Sequence, residues 1–176
     1  MTGIDWSVDA KIGKRKRCYI QARDFFFAAK RCGKTEECKE SGMPQRLSVP
    51  EYVNIAFSCE LYIKTLLYKG EERIKEHTLI KLFDRIDVNL RNKLSDDLKM
   101  PIEEIRRLLH EHSQLFSEMR YRFESLQYGE SFSIPLQFLY SLAISLDRLA
   151  QETIGVLPYP LANADFACFP EILVEL

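Results

Sequence analysis

An all-α fold, a bundle of four long helices with one or two short ones, is what this sequence predicts. Three observations carry that prediction. Apolar residues recur at three- and four-residue spacing through most of the 176-residue chain. Alternating strand patterns are scarce. Ser, Asp, Pro and Gly stand where such helices would start and stop. The length suits one domain with one substantial core, and 46% hydrophobic with 29% charged residues is an ordinary globular balance. Internal repeats, low-complexity tracts and a domain boundary are all missing, so residues 1–176 read as a single helical domain, with residues 1–12 as a flexible N-terminus.

The first helix is predicted from Gly13 to Arg31, with Tyr19, Ala22, Phe26, Phe27 and Ala29 on its inner face and Gly33 closing it. A polar connection, residues 34–46, follows. The central helix is predicted from Ser48 to Tyr68, stopping at Gly70. Ser48 is its expected cap, and Pro50 suits a first turn because its φ is already set and it has no N–H to leave unpaired. Val49, Val53, Ala56, Cys59, Ile63, Leu66 and Leu67 form one apolar stripe, and Tyr52, Ile55 and Tyr62 add a second. A helix apolar on most sides belongs in the middle of a bundle. Glu60, one turn after Ala56, therefore needs a partner.

A short helix is expected from Glu76 to Ile86, burying Leu79, Leu82, Phe83 and Ile86. Asp87 caps another, running through Leu94. Pro101 opens a longer helix in which Ile102, Ile105, Leu108, Leu109, His112, Leu115 and Phe116 share a face. Periodicity lapses after it, and Gly129 marks a turn. Ser133 and Pro135 start the last long helix, Leu136 to about Gln151. The tail, residues 155–176, holds three prolines among large apolar residues and is expected to pack on the bundle or on a second subunit.

The net charge of -1 hides an uneven distribution. Residues 11–34 hold nine Lys or Arg against one acid, Asp24. Such an element can track phosphates or pair with acidic groups of the protein itself. The five cysteines contain no CxxC pair and there are only three histidines, so no structural metal is expected. Cys59 falls on the buried stripe and reads as a small hydrophobe. No apolar stretch precedes the N-terminal charges, and the longest apolar run, Leu136 to Leu146, is about half of what a membrane span needs. A soluble protein of the reducing cytoplasm is expected, without membrane partners and without cofactors.

The order of four segments resembles a branch of the HEPN superfamily: ARDFFFAAK, AFSCELYIKTLL, KEHTLIKLF and FSEMRYRFE. The resemblance covers roughly residues 15 to 150. It implies a compact helical bundle that forms a homodimer. Many HEPN domains are ribonucleases of phage defence or toxin–antitoxin systems, and others bind RNA or partner proteins without catalysis. The nuclease members use an Arg followed four to six residues later by a His. The Arg can hold a phosphate bidentately, and a His near neutrality can assist attack by the RNA 2′-hydroxyl.

On the matching segment the Arg is Arg120, yet Ser125, Leu126 and Gln127 occupy the positions beyond it and no His follows His112. Glu124 is the nearest polar group, and a carboxylate there would repel the scissile phosphate. Arg107 and His112 satisfy the spacing literally, but five residues along a helix separate two side chains by about 140°. That places His112 on the apolar face and Arg107 off it. His77, whose position resembles that of the His in the GHDL-like segment of the HEPN branch, suits a capping or interhelical hydrogen bond better than catalysis. Arg120, Tyr121 and Arg122 form the candidate ligand site: the arginines for phosphate, the tyrosine to stack on a base. The competing reading is an ion pair of Arg120 with Glu60, or of Arg122 with Glu118 or Glu124.

The expected function is a HEPN-like regulatory domain of a defence or toxin–antitoxin system that binds RNA, a nucleotide or a protein partner without cleaving RNA. The alternatives are an atypical metal-independent ribonuclease using Arg120, with Glu124 or His77 as further catalytic candidates, and a structural adaptor for other proteins. No glycine loop that would cradle phosphates and no GxSxG element points to another enzyme class.

Overall fold

The computed structural model describes residues 13–37, 42, 44–69, 73–119 and 136–155, with side chains described throughout except at 36–37, 44–45 and 114–119. Within them lie six helices: α1 (Lys14–Cys32), α2 (Ser48–Leu67), α3 (Leu79–Asp84), α4 (Val88–Leu98), α5 (Ile102–Met119) and α6 (Leu136–Ile154). The class is all-α. The connection after α1 carries only a two-residue antiparallel ladder, β1 (Glu36–Glu37) with β2 (Pro44–Gln45). None of the helices is long and apolar enough to cross a membrane.

The double apolar stripe of α2 puts it at the centre. Its turns from Ile55 to Leu66 are buried except at Phe57, which is half-buried. On one side α1 and α6 pack against it; on the other it meets α3 and α5, and α4 bridges α5 and α6. Tyr19, Ala22, Phe26 and Ala29 of α1 are buried as their spacing demands, and so are Leu79, Leu82, Phe83 and Ile86 around α3. Ile105 and Leu109 of α5 and Leu139, Leu142, Ala143 and Leu146 of α6 complete the core. These apolar faces, rather than helix propensity, hold the short helices in place.

Several boundaries depart from expectation. Ser48 is the first helical residue and not the cap: Leu47 takes the cap position, and no side chain bonds there. Val49 is 42% exposed, because the first turn of α2 projects past the core. Asp87 does cap α4, accepting from the Asn89 amide at 2.8 Å, but the helix runs on to Leu98. It ends at Lys99, whose φ of 51° is left-handed, and the turn is tied by Ser95 Oγ donating to the Met100 carbonyl. The short helix starts at Leu79, not Glu76. Glu76 instead accepts the amides of His77 and Thr78 at 2.9 and 2.8 Å, which holds the segment 73–78 extended before the helix begins. The last helix extends three residues past Gln151, to Ile154. Gly70, Gly129, Ser133, Pro135, residues 1–12 and the tail beyond Gly155 lie outside the described residues.

At the end of α1, Gly33 meets the expectation of a stop for a reason of space. A Cβ there would sit 2.4 Å from Glu51 Oε1. Glu51 cannot move away easily, because Arg46 grips it through Nε and Nη2 at 2.8 and 2.9 Å and Tyr140 Oη donates to it at 2.9 Å.

Candidate functional site

Three carboxylates are buried among the described residues; Glu51 is held by Arg46 and Tyr140, and the other two organise most of the remaining polar chemistry. The first, Asp147 of α6, is fully buried between α1 and α2. Arg23 Nη1 approaches both of its oxygens at 3.3 Å, Tyr62 Oη donates to Oδ1 at 2.9 Å, and Gln151 Nε2 donates to Oδ2 at 2.5 Å. Desolvation, outweighing the neighbouring Arg23, raises the Asp147 carboxyl above its ordinary range. Desolvation and the Asp147 charge push the Tyr19 phenol up to about 12, so it serves here as a neutral hydrogen-bonding group. This cluster is enclosed and ties three helices together.

The second carboxylate is Glu60, midway along α2 and 1% exposed. Its Oε1 accepts from Lys64 Nζ at 2.8 Å, one turn on, and lies 2.8 Å from His77 Nδ1. The carboxylate oxygen accepts only, so Nδ1 must carry the hydrogen. The Lys64–His77 approach at 3.5 Å is then a contact between two donors and not a bond. Glu60 Oε2 is buried and has no hydrogen-bond partner among the described residues. Glu60 and Lys64 line a groove of about 500 Å³ between α1, α2 and the segment 73–78. From α1 it receives Lys14, Arg17 and Cys18; from the segment, Arg73 and His77; Phe57 and Tyr68 supply aromatic wall. Cys18 is not a nucleophile there: desolvation raises its thiol pKa, and its Sγ donates to the Leu61 carbonyl at 3.2 Å.

His112 and Arg107, which match the ribonuclease spacing, are kept apart. Arg107 is an exposed residue paired with Glu104 at 2.6 Å and Glu111 at 2.5 Å. His112 is 1% exposed and stacks on Phe138 with ring centroids 5.7 Å apart. Tyr52 Oη donates to the His112 carbonyl at 3.1 Å and can accept from Nδ1 at 3.3 Å. That leaves Nε2 as an acceptor with no partner among the described residues, and desolvation lowers the His112 pKa. A buried neutral imidazole beside a tyrosine is a packing element.

Arg120, Tyr121, Arg122 and Glu124 lie outside the described residues, as does the proposed pairing of Arg120 with Glu60. The partners that the structure gives Glu60 are Lys64 and His77. Lys64 was detectable in sequence as a Glu–Lys pair at i,i+4. Arg23 and Asp147 were also missed, although each is a lone charge inside an apolar stripe, the same signal that singled out Glu60. Among the described residues no group of His, Cys, Asp and Glu could hold a metal ion. Cys59 is fully buried, its Sγ facing the Leu139 carbonyl at 3.4 Å and its pKa driven up by desolvation.

The basic α1 divides its charges. Arg23 is spent internally on Asp147, and Arg15 Nε donates to the Thr65 carbonyl at 2.9 Å. Lys16, Arg17, Lys30 and Arg31 are exposed, within an arc of about 140° of the helix surface. Ile20, 39% exposed, lies among them, with Asp24 the acid on that face. Comparison with protein-family models, with curated proteins and with solved structures finds no match for this chain.

Proposed function

We propose that this chain is a HEPN-like helical module that binds RNA along the exposed face of α1 without cutting it. The observation that carries the reading is the clustering of Lys16, Arg17, Lys30 and Arg31 on one solvent-facing arc, in a protein whose net charge is -1. A cationic stripe on an otherwise acidic body attracts a phosphate backbone and is read out as salt-sensitive binding. The absence of cleavage is supported by the two histidines that the sequence singles out, His112, which is sealed in the core, and His77, which is engaged with Glu60; the third, His110, is exposed on α5. The setting in defence or toxin–antitoxin systems, the homodimer and a role for Arg120, Tyr121 and Arg122 rest on the resemblance of the four segments.

Titration of a labelled single-stranded RNA at increasing salt tests the reading. Affinity should fall with a log–log slope of about −0.7 for each phosphate neutralised. The double variant Lys16→Glu/Arg31→Glu should bind more weakly and with a shallower slope. Cleavage of total RNA that is lost in Arg120→Ala would overturn the non-cutting assignment in favour of an atypical ribonuclease. Neither binding nor cleavage would leave the protein-adaptor reading.

A further inference from the structure

We infer that Nε2 of His77 is a phosphoryl-acceptor site, a nucleophile open to small phosphoryl donors of the phosphoramidate class. Orientation and access meet at this ring. Nδ1 lies 2.8 Å from Glu60 Oε1, and a carboxylate oxygen only accepts, so the hydrogen sits on Nδ1 and the lone pair of the neutral ring on Nε2. That orientation is held from both sides. Glu60 is buried and bonded by Lys64 at 2.8 Å, while Glu76 accepts the backbone amides of His77 and Thr78. The contact with Glu60 uses one ring nitrogen and leaves the other open. The His77 side chain is 65% exposed and lines the groove, so a donor reaches it without any movement of the core.

A buried carboxylate behind an exposed imidazole fixes the ring and stabilises the positive charge that develops on it during attack. Attack of Nε2 on phosphorus forms the Nε2–P bond and breaks the P–N bond of phosphoramidate. The zwitterionic donor already carries the proton with which ammonia leaves. His77 keeps its Nδ1 hydrogen and becomes an imidazolium facing Glu60. The transferred group brings two negative charges, so the Lys64–Glu60–His77 cluster gains a single negative unit overall. Phosphoryl transfer suits such a site because its loose transition state asks for a placed nucleophile and not for an oxyanion hole. Each of the other histidines lacks one of the two features. His110 is exposed on α5, but among the described residues no carboxylate bonds its ring. His112 is oriented by Tyr52 but is sealed in the core. This chemistry is separate from the α1 face and does not rest on RNA binding.

Labelling of the full chain with phosphoramidate at mildly alkaline pH tests it, because the three histidines act as one another's controls. Acid-labile phosphate, located by mass spectrometry, should appear on His77 about tenfold or more faster than on His110, and His112 should stay unlabelled. In urea the rates at His77 and His110 should converge, since the orientation is a property of the fold. Glu60→Gln keeps an oxygen that can accept from Nδ1 and removes the charge, so it should slow His77 and leave His110 unchanged. Glu76 lies outside the core, so Glu76→Ala should fold normally, free the ring from its register and lower the His77 rate toward that of His110. That variant decides the matter if Glu60→Gln fails to fold. Nitrogen-15 spectra of the wild type should show His77 as the Nδ1–H tautomer, whereas a free imidazole favours Nε2–H. Equal labelling of His77 and His110 in the folded chain, a preference that persists in urea, an Nε2–H tautomer at His77, or a Glu76→Ala variant labelled as fast as the wild type would each overturn the inference.

Discussion

Asp147 and Glu60 are both carboxylates buried on the faces of α2, yet their surroundings differ in completeness. Around Asp147, which is fully buried, donors from α1, α2 and α6 engage both oxygens. Around Glu60, one oxygen holds two donors and the other holds none among the described residues, beside a groove lined by Lys64, Arg73 and His77. A fully satisfied buried network is a means of specifying one packing of three helices. A partly satisfied one carries a desolvation cost that the packing around it must offset. The difference lies in how many donors the neighbouring elements supply, and not in the acid itself.

The sharpest way to break this contrast is to remove each acid in turn. Asp147→Ala takes the carboxylate from Arg23, only 8% exposed, leaving it the neutral Tyr19 hydroxyl in place of a counter-charge, and should cost about 3–5 kcal/mol in urea unfolding. A loss below about 1 kcal/mol would mean that the network is not what holds α6 to α1 and α2. Glu60→Ala strands Lys64, 6% exposed, but at the wall of a groove where water can reach the ammonium. Its cost should be smaller, about 1–3 kcal/mol. A loss equal to that of Asp147→Ala would erase the distinction between an enclosed and an open cluster.

The smallest effect is expected in acid. Backbone and side-chain hydrogen bonds from Thr78, the largest causes, hold the Glu76 carboxyl down to about 2 from its ordinary 4.5. Its contribution is therefore present above pH 4.5 and lost as the pH falls from 4.5 through about 2. Asp147 has the opposite sign. Its folded value is raised above 3.8, so its protonated form favours the folded state, and that contribution is lost as the pH rises through the raised value. Glu76→Gln should flatten the acid side of the stability profile and loosen His77 over Glu60. A profile that overlays the wild type would show that the extended segment 73–78 is held by something other than this carboxylate.

Much of the bundle was legible. The stripes of α1, α3 and α5 were readable because every third or fourth residue is apolar, and burial followed from that period alone. Boundaries were less so: Ser48 is the right residue type for a cap, but it is the first helical residue, and Leu47 takes the cap position instead. The candidate groove was scarcely legible. Glu60 stood out as a charge in an apolar helix, yet Arg73 and Arg17 carry no pattern that says they face it, since each is an ordinary exposed cation along the chain. His77 was noticed for its place before an apolar run, and only the folded chain brings it to 2.8 Å from a residue seventeen positions earlier.

By itself the sequence determined the helical class, the centrality of α2 and the concentration of positive charge on α1, because local periodicity and composition are properties of neighbouring residues. Tertiary structure alone decided which buried acid is complete and which is not. Asp147 meets Arg23 across 124 positions, and Glu60 meets His77 across 17, with one of its oxygens left without a donor among the described residues. Hydrogen bonds are satisfied by distance in space, and distances between helices are settled only when the bundle closes.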